Sequence, residues 1–116
     1  MDLASMTCTA EQAARPPLTR RDLAEIQAQI PEWQLLDGRL VRRFETSDFI
    51  ASLALVNDIA RIANEQGHFP DIRITEYRYV DIIWYTYRSG GLTRNDVIMA
   101  ARVSAMTRER DLETSP

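Results

Sequence analysis

The stretch Asn64-Glu65-Gln66-Gly67-His68-Phe69-Pro70-Asp71 constrains this chain more than any other. It closes a long apolar segment with a glycine, and the proline three residues later forbids the helix from resuming. Beyond it, Asp71 to Glu76 alternates apolar and polar residues, as a half-buried strand does. A helix-to-strand corner is fixed here, and it carries the only histidine of the chain, His68. An imidazole in the last helical turn has an ordinary structural use, because it interacts favourably with the helix dipole. Corners of a rigid scaffold are also where side chains are presented for chemistry or recognition. Both readings stay open on these residues.

The rest of the chain is arranged around that corner. Residues 1–17 show no apolar period and read as a flexible tail carrying Cys8; the folded domain is expected over 18–113. Thr19, Asp22 and the Leu18/Leu23 pair have the layout of a capped and stapled helix start, and that helix stops before Pro31. Two short strands flank Asp37-Gly38, the preferred pair for a two-residue hairpin turn. A second helix, capped by Ser47, runs to about Gln66. Phe49, Leu53, Val56, Ala60 and Ala63 form its inward stripe, widened by Leu55, Ile59 and Ile62 to roughly half the circumference, whereas covering one sheet needs an arc of about 100°. The surplus predicts a second apolar partner, another helix or another subunit.

Tyr79 to Arg88 reads as one strand. Val80, Ile82, Trp84 and Thr86 share one face and suit a helix-covered core, while Tyr79, Asp81, Ile83, Tyr85 and Tyr87 share the other. After Ser89-Gly90-Gly91, the run Leu92 to Val97 repeats the cap-and-staple layout. The last helix is expected from Arg94 to Asp111, with Val97, Ile98, Ala101, Ala105 and Met106 inward, and Thr114 to Pro116 fraying. The order αββαββα predicts an α+β fold: a four-stranded antiparallel sheet with three helices packed on one face.

Composition narrows the chemistry. With 116 residues there is room for one core. A single cysteine and a single histidine exclude a disulfide and a zinc site of the usual ligand types within one chain. All basic residues are arginines, which removes Schiff-base and phosphate-loop lysine chemistry. A net charge of −3 argues against nucleic acid as the main partner. No apolar run approaches the ~20 residues of a membrane span, and no signal peptide layout opens the chain, so a cytoplasmic protein is expected. No cofactor is expected either.

The corner and the turn after Trp84 resemble the signature of the pterin-4a-carbinolamine dehydratases, a small αββαββα family. Their signature reads Glu, three residues, then His-His-Pro, followed later by Thr-His, a Gly-Leu-Thr turn and an Asp nine residues past that histidine. The chain keeps His68, Pro70, Thr86, Gly90-Gly91-Leu92-Thr93 and Asp96 in register, while Asn64, Phe69 and Tyr87 fall on the Glu and the other two histidines. The resemblance implies that the family histidines act as acids and bases expelling water from a hydroxylated pterin. Phe69 cannot exchange a proton, and Tyr87, with an ordinary pKa of about 10, does so poorly at neutral pH. The expectation is therefore a degenerate, non-catalytic pocket of Asn64, His68, Phe69, Pro70, Tyr87 and Asp96. Asp96 is equally satisfied as the third residue of a capping box, and His68 as a corner residue.

A branch of this fold that lacks the histidine set occurs with α-carboxysomes of bacteria and is associated with Rubisco assembly. This chain resembles that branch, which implies Rubisco subunits as partner, contacted through Tyr79, Asp81, Ile83, Tyr85, Tyr87 and Arg88, and a homo-oligomer of at least two copies. The competing expectation is a weak or altered 4a-hydroxytetrahydrobiopterin dehydratase relying on His68. A third, a protein-binding cofactor in transcription, finds no support in the tail or the charge.

Overall fold

The structure is a computed structural model that describes residues 2–108 and 113–115. Asp37 and Gly38 both take positive φ, 50° and 74°, the backbone a two-residue turn needs to match the right-handed twist of its strands. They join β1 (Gln34–Leu36) to β2 (Arg39–Glu45), with Leu36 opposite Arg39. β3 (Asp71–Thr75) and β4 (Tyr79–Trp84) form the second antiparallel pair, and the strands lie in the order β1-β2-β4-β3. A short β5 (Glu113–Ser115) pairs with the end of β2, where fraying was expected. The helices are α1 (Ala10–Ala13), α2 (Arg20–Gln27), α3 (Phe49–Gln66) and α4 (Arg94–Arg108). Asp111, the expected end of the last helix, and Pro116 lie outside the described residues.

From α2 onward this is the expected α+β architecture. Thr19 and Asp22 form the full capping box at the start of α2. One sheet face, made by Leu40, Phe44, Val80, Ile82 and Trp84, is at most 1% exposed and packs against Leu55 and Ile59 of α3 and Val97 of α4. Removing side chains of this size from water is the main source of stability in the domain. β4 ends at Trp84, short of Arg88, and pairing resumes only as a single bridge between Thr86 and Gly91.

The rotation of α3 differs from the expected one. Ser52, Leu55, Ile59 and Ala63 face the core, while Phe49, Ile50 and Leu53 are 50%, 73% and 38% exposed. A polar contact sets this phase: the Ser52 hydroxyl lies 2.7 Å from the Tyr77 carbonyl and 2.6 Å from Thr46 Oγ1. Leaving such a buried group unpaired costs about 1–3 kcal/mol, which weighs against the burial forgone at Phe49 and Leu53. The cap of α3 is Asp48, not Ser47; its carboxylate accepts the Ala51 N–H at 2.8 Å.

The largest departure is at the N-terminus. Residues 2–17, read as a flexible tail, form a third layer over α4. Leu3 is buried, and the Met6 carbonyl accepts from the Arg102 guanidinium. Thr9 pairs with Asn95, and the Arg15 carbonyl accepts from Ser89 Oγ at 2.6 Å. Pro17 packs so tightly on Gly91 that a Cβ there would meet it at 2.7 Å. Enclosed by sheet and segment, α4 buries ten of its 15 residues, more than one sheet face accounts for. Ala105, expected inward, is exposed.

Candidate functional site

His68 reaches the interior because of how α3 ends. Gly67 adopts the left-handed conformation (φ 67°), and the N–H groups of Gly67 and His68 both donate to the Ala63 carbonyl. The chain reverses, and the imidazole turns inward to 8% exposure. It meets Asp96, on the first turn of α4, whose carboxylate is fully buried. His68 Nε2 lies 2.7 Å from Asp96 Oδ1, while Asp96 Oδ2 accepts from the Thr93 N–H at 2.9 Å and from Thr86 Oγ1 at 2.6 Å.

An ionised carboxylate can only accept, so beside one a neutral imidazole carries its proton on Nε2 and keeps a lone pair on Nδ1. Among the described residues Nδ1 makes no hydrogen bond. Because Thr86 gives its hydroxyl proton to Asp96, the Thr93 hydroxyl donates to Thr86, at 2.8 Å. The expected capping box at α4 is therefore half diverted: Asp96 reaches back to the cap, but the cap hydroxyl serves the network. Trp84 backs the imidazole in a stacked contact, with ring centroids 5.8 Å apart and planes at 13°.

The other expected pocket residues divide. Asn64 is exposed on the last turn of α3, and Pro70 is half-buried. Phe69 is 60% exposed. Tyr87 is 64% exposed, and its hydroxyl donates to Asp71 Oδ2 at 2.5 Å. That hydrogen bond, with some desolvation and the charge of Asp71, pushes the phenol above its ordinary value, so at neutral pH Tyr87 is a proton donor and not a base. Asp71 was expected to open a strand and was not among the expected site residues. Its one signal is position: it directly follows Pro70 and opens a strand whose register sets it opposite Ile83.

The open sheet face is part exposed and part locked. Tyr85 lies under the Arg39 guanidinium at 4.1 Å and meets Tyr87 edge-on at 5.0 Å. Tyr79 is flanked by Arg43 and Arg78, Ile83 is half-buried, and Arg88 is exposed. Asp81, expected to face a partner, does not. It is 2% exposed and held by Arg43 at 2.7 Å and Arg73 at 3.0 Å, and the bond to Arg43 leads in keeping its carboxyl below the usual range. A buried carboxylate with two guanidinium partners is already satisfied.

Two further features bear on the site. A cavity of about 360 Å³ is lined by Gln12, Arg15, Leu18, Asp22, Ile26 and Thr93 among others; of the His68 network only Thr93 touches it. Among the described residues no three His, Cys, Asp or Glu side chains are placed to hold a metal ion.

Comparison with known proteins gives a consistent family. The model of the pterin 4 alpha carbinolamine dehydratase family matches residues 16–106. A provisionally named pterin-4-alpha-carbinolamine dehydratase of Microcystis aeruginosa is 33% identical over 114 residues, covering 95% of this chain and 97% of the relative. A similarly named protein of Cupriavidus pinatubonensis is 38% identical over 106 residues, with 90% of each covered. Among solved structures, a transcriptional coactivator/pterin dehydratase from Brucella melitensis superposes with a TM-score of 0.70 at 26% identity, over 78% of this chain and 97% of that one.

These matches correct the expectation of a non-catalytic chain, since the family model and the relatives all carry the name of the dehydratase. The geometry supplies the physical reason. Asn64 stands where the signature has Glu, and the imidazole still has an orienting carboxylate, because Asp96 holds it at 2.7 Å. The surviving acid–base group is positioned and its proton placed, which one histidine needs in order to work.

Proposed function

This chain belongs to the pterin-4a-carbinolamine dehydratase family, and from that premise we propose that it dehydrates a 4a-hydroxytetrahydropterin with His68 as its main proton-transfer group. The reaction breaks the C4a–O bond, removes the N5 proton, forms the C4a=N5 double bond and releases water, with no change of oxidation state. It needs a base for N5–H and an acid for the departing hydroxyl. His68 Nδ1 carries the free lone pair for the first. Asp96, fixed by Thr86 and Thr93, stabilises the imidazolium that forms and returns the ring to the same orientation. Tyr87, kept protonated by Asp71, is the nearest match to the second role by its position in the family signature.

The single observation that carries this reading is the buried His68–Asp96 pair with its two threonine and backbone supports. A positioned acid or base is worth about 10²–10⁴ in rate, so one intact group and one weak acid make a slower enzyme than a full histidine set. Stopped-flow dehydration measured on the parent and on His68→Gln tests it. The parent should exceed the uncatalysed rate, and the variant should lose most of that excess. A parent rate equal to the uncatalysed one refutes the reading. Restoring the signature with Asn64→Glu, Phe69→His and Tyr87→His should raise the rate.

A second role is supported by a separate observation, the Arg39–Tyr85–Tyr87 cluster on the uncovered sheet face. Aromatic and arginine side chains together have the composition of a contact hot spot, which fits docking of a protein partner such as Rubisco subunits in the cytoplasm. The exposed Phe49, Ile50 and Leu53 of α3 support self-association to at least a dimer, which light scattering at micromolar concentration tests.

A further inference from the structure

His68 and Asp96 sit on different elements, two residues past the end of α3 and on the first turn of α4, and something must hold those two helix ends in register. The sheet does part of this. Direct packing of α3 on α4 does another part, and two residues of the N-terminal segment bind both helix ends from outside. The Cys8 N–H donates to the Gln66 side-chain carbonyl at 2.9 Å, and Gln66 is the last residue of α3. One residue on, Thr9 exchanges both backbone hydrogen bonds with the Asn95 side chain, its N–H donating to Oδ1 at 3.1 Å and its carbonyl accepting from Nδ2 at 2.8 Å. Asn95 is 2% exposed and directly precedes Asp96. The Cys8 thiol reaches the Asn95 carbonyl at 3.7 Å, so consecutive residues of one strap grip both helix ends.

We infer that Gln66 and Asn95 are positioning residues, through which Cys8 and Thr9 clamp the ends of α3 and α4 and so fix the His68–Asp96 pair. The physical case rests on saturation. The Asn95 amide uses its oxygen and one N–H on a single backbone unit, a two-point contact that sets orientation as well as distance. Misplacing a proton-transfer group by about 1 Å can cost about 100-fold in rate, so a clamp acting on both ends of a 2.7 Å hydrogen bond controls the chemistry without touching substrate. The family model begins at residue 16, so Cys8 and Thr9, the strap half of the clamp, lie outside the segment that it matches, while Gln66 and Asn95 lie within it.

This inference rests on the dehydratase reading for its kinetic consequence but not for its structural one, and the test separates them. The full chain is compared with Asn95→Ala, Gln66→Leu and Gln66→Glu, the last keeping the acceptor that Cys8 uses. Because the chain has one histidine, its ring ¹⁵N and N–H resonances report the pair without overlap. In Asn95→Ala and Gln66→Leu, solvent exchange of the Nε2 proton should speed up at least tenfold. kcat should fall about tenfold with KM little changed, and Gln66→Glu should recover most of the loss. If Asn95→Ala does not fold, the two Gln66 variants decide. An Nε2 proton that exchanges at the parent rate in the folded variants overturns the inference, whatever the activity. Faster exchange in the variants, together with a parent that has no dehydratase activity, would sustain the clamp and sink the functional reading alone.

Discussion

Replacing Asp96 with asparagine changes one atom of the buried network and tests its logic directly. Asp96 Oδ2 receives the Thr93 N–H and the Thr86 hydroxyl, and Oδ1 receives His68 Nε2–H. In Asp96→Asn the amide has one oxygen to place. Turning its NH2 toward Thr93 would set two donors face to face and leave a buried backbone N–H unpaired, at about 1–3 kcal/mol. The oxygen therefore stays with Thr93 and Thr86, and the NH2 faces His68. The imidazole must then offer a lone pair at Nε2 and carry its proton on Nδ1, the nitrogen otherwise free to take one. The fold survives: losing charge assistance in this network costs about 2 kcal/mol, a melting shift of roughly 10 °C for a domain of this size. The rate should fall much further, by about 10²–10⁴. Stopped-flow kinetics read the rate, and the ¹⁵N shifts of the single histidine read the tautomer. A variant within threefold of the parent rate, or one whose ring proton stays on Nε2, refutes the assignment.

The remaining predictions concern neighbouring groups. Trp84→Ala removes a fully buried ring behind His68 and should destabilise the domain by about 3–5 kcal/mol in denaturant unfolding, whereas Tyr85→Ala on the open face should leave the melt nearly unchanged and weaken capture of a protein partner. The Tyr87–Asp71 hydrogen bond exists while the phenol is protonated, so its contribution is present below the unfolded-state value and disappears as pH rises through the raised folded one. In an alkaline titration by near-ultraviolet absorbance, Asp71→Asn should move one tyrosine to lower pH; superimposable curves would show that the bond is absent in solution. Burial pushes the Cys8 thiol from 9.0 to about 11, which lowers its thiolate fraction about 100-fold at mildly alkaline pH. Its reaction with a disulfide reagent should be correspondingly slow in the native protein and fast in denaturant, and a fast native reaction would mean that the segment carrying it does not stay docked on α4.

What could be read in the sequence follows from how local each determinant is. The Asp37-Gly38 turn, the Gly67 corner and the Thr19–Asp22 cap are decided within a few residues, and the structure has all three. The faces of β4 were legible because strand alternation leaves two choices, and only the Val80, Ile82 and Trp84 set is apolar throughout. The rotation of α3 was not, because its apolar arc is broad and several phases bury similar area. Ser52 breaks the tie through Tyr77 and Thr46, which only the folded chain brings together. The N-terminal segment escaped for the same reason: it docks by side chain-to-backbone pairs with residues far along the chain and carries no periodic signal. In the site, the family signature located His68 and Asp96, but their 2.7 Å contact spans 28 positions and could not be inferred from the corner alone.

The order in which the chain is made gives the enclosure of α4 a consequence for the newborn protein. Thr9 and Met6 find their partners, Asn95 and Arg102, 86 and 96 residues later. At about 5–20 residues per second, this segment waits roughly 5–20 s after its own synthesis for something to bind. Over that interval the apolar faces of β2, β4 and α3 have already emerged without α4 to cover them. A stall or truncation before residue 94 leaves a polypeptide with most of its core and no helix to close it, a substrate for chaperones and proteases rather than a smaller folded domain.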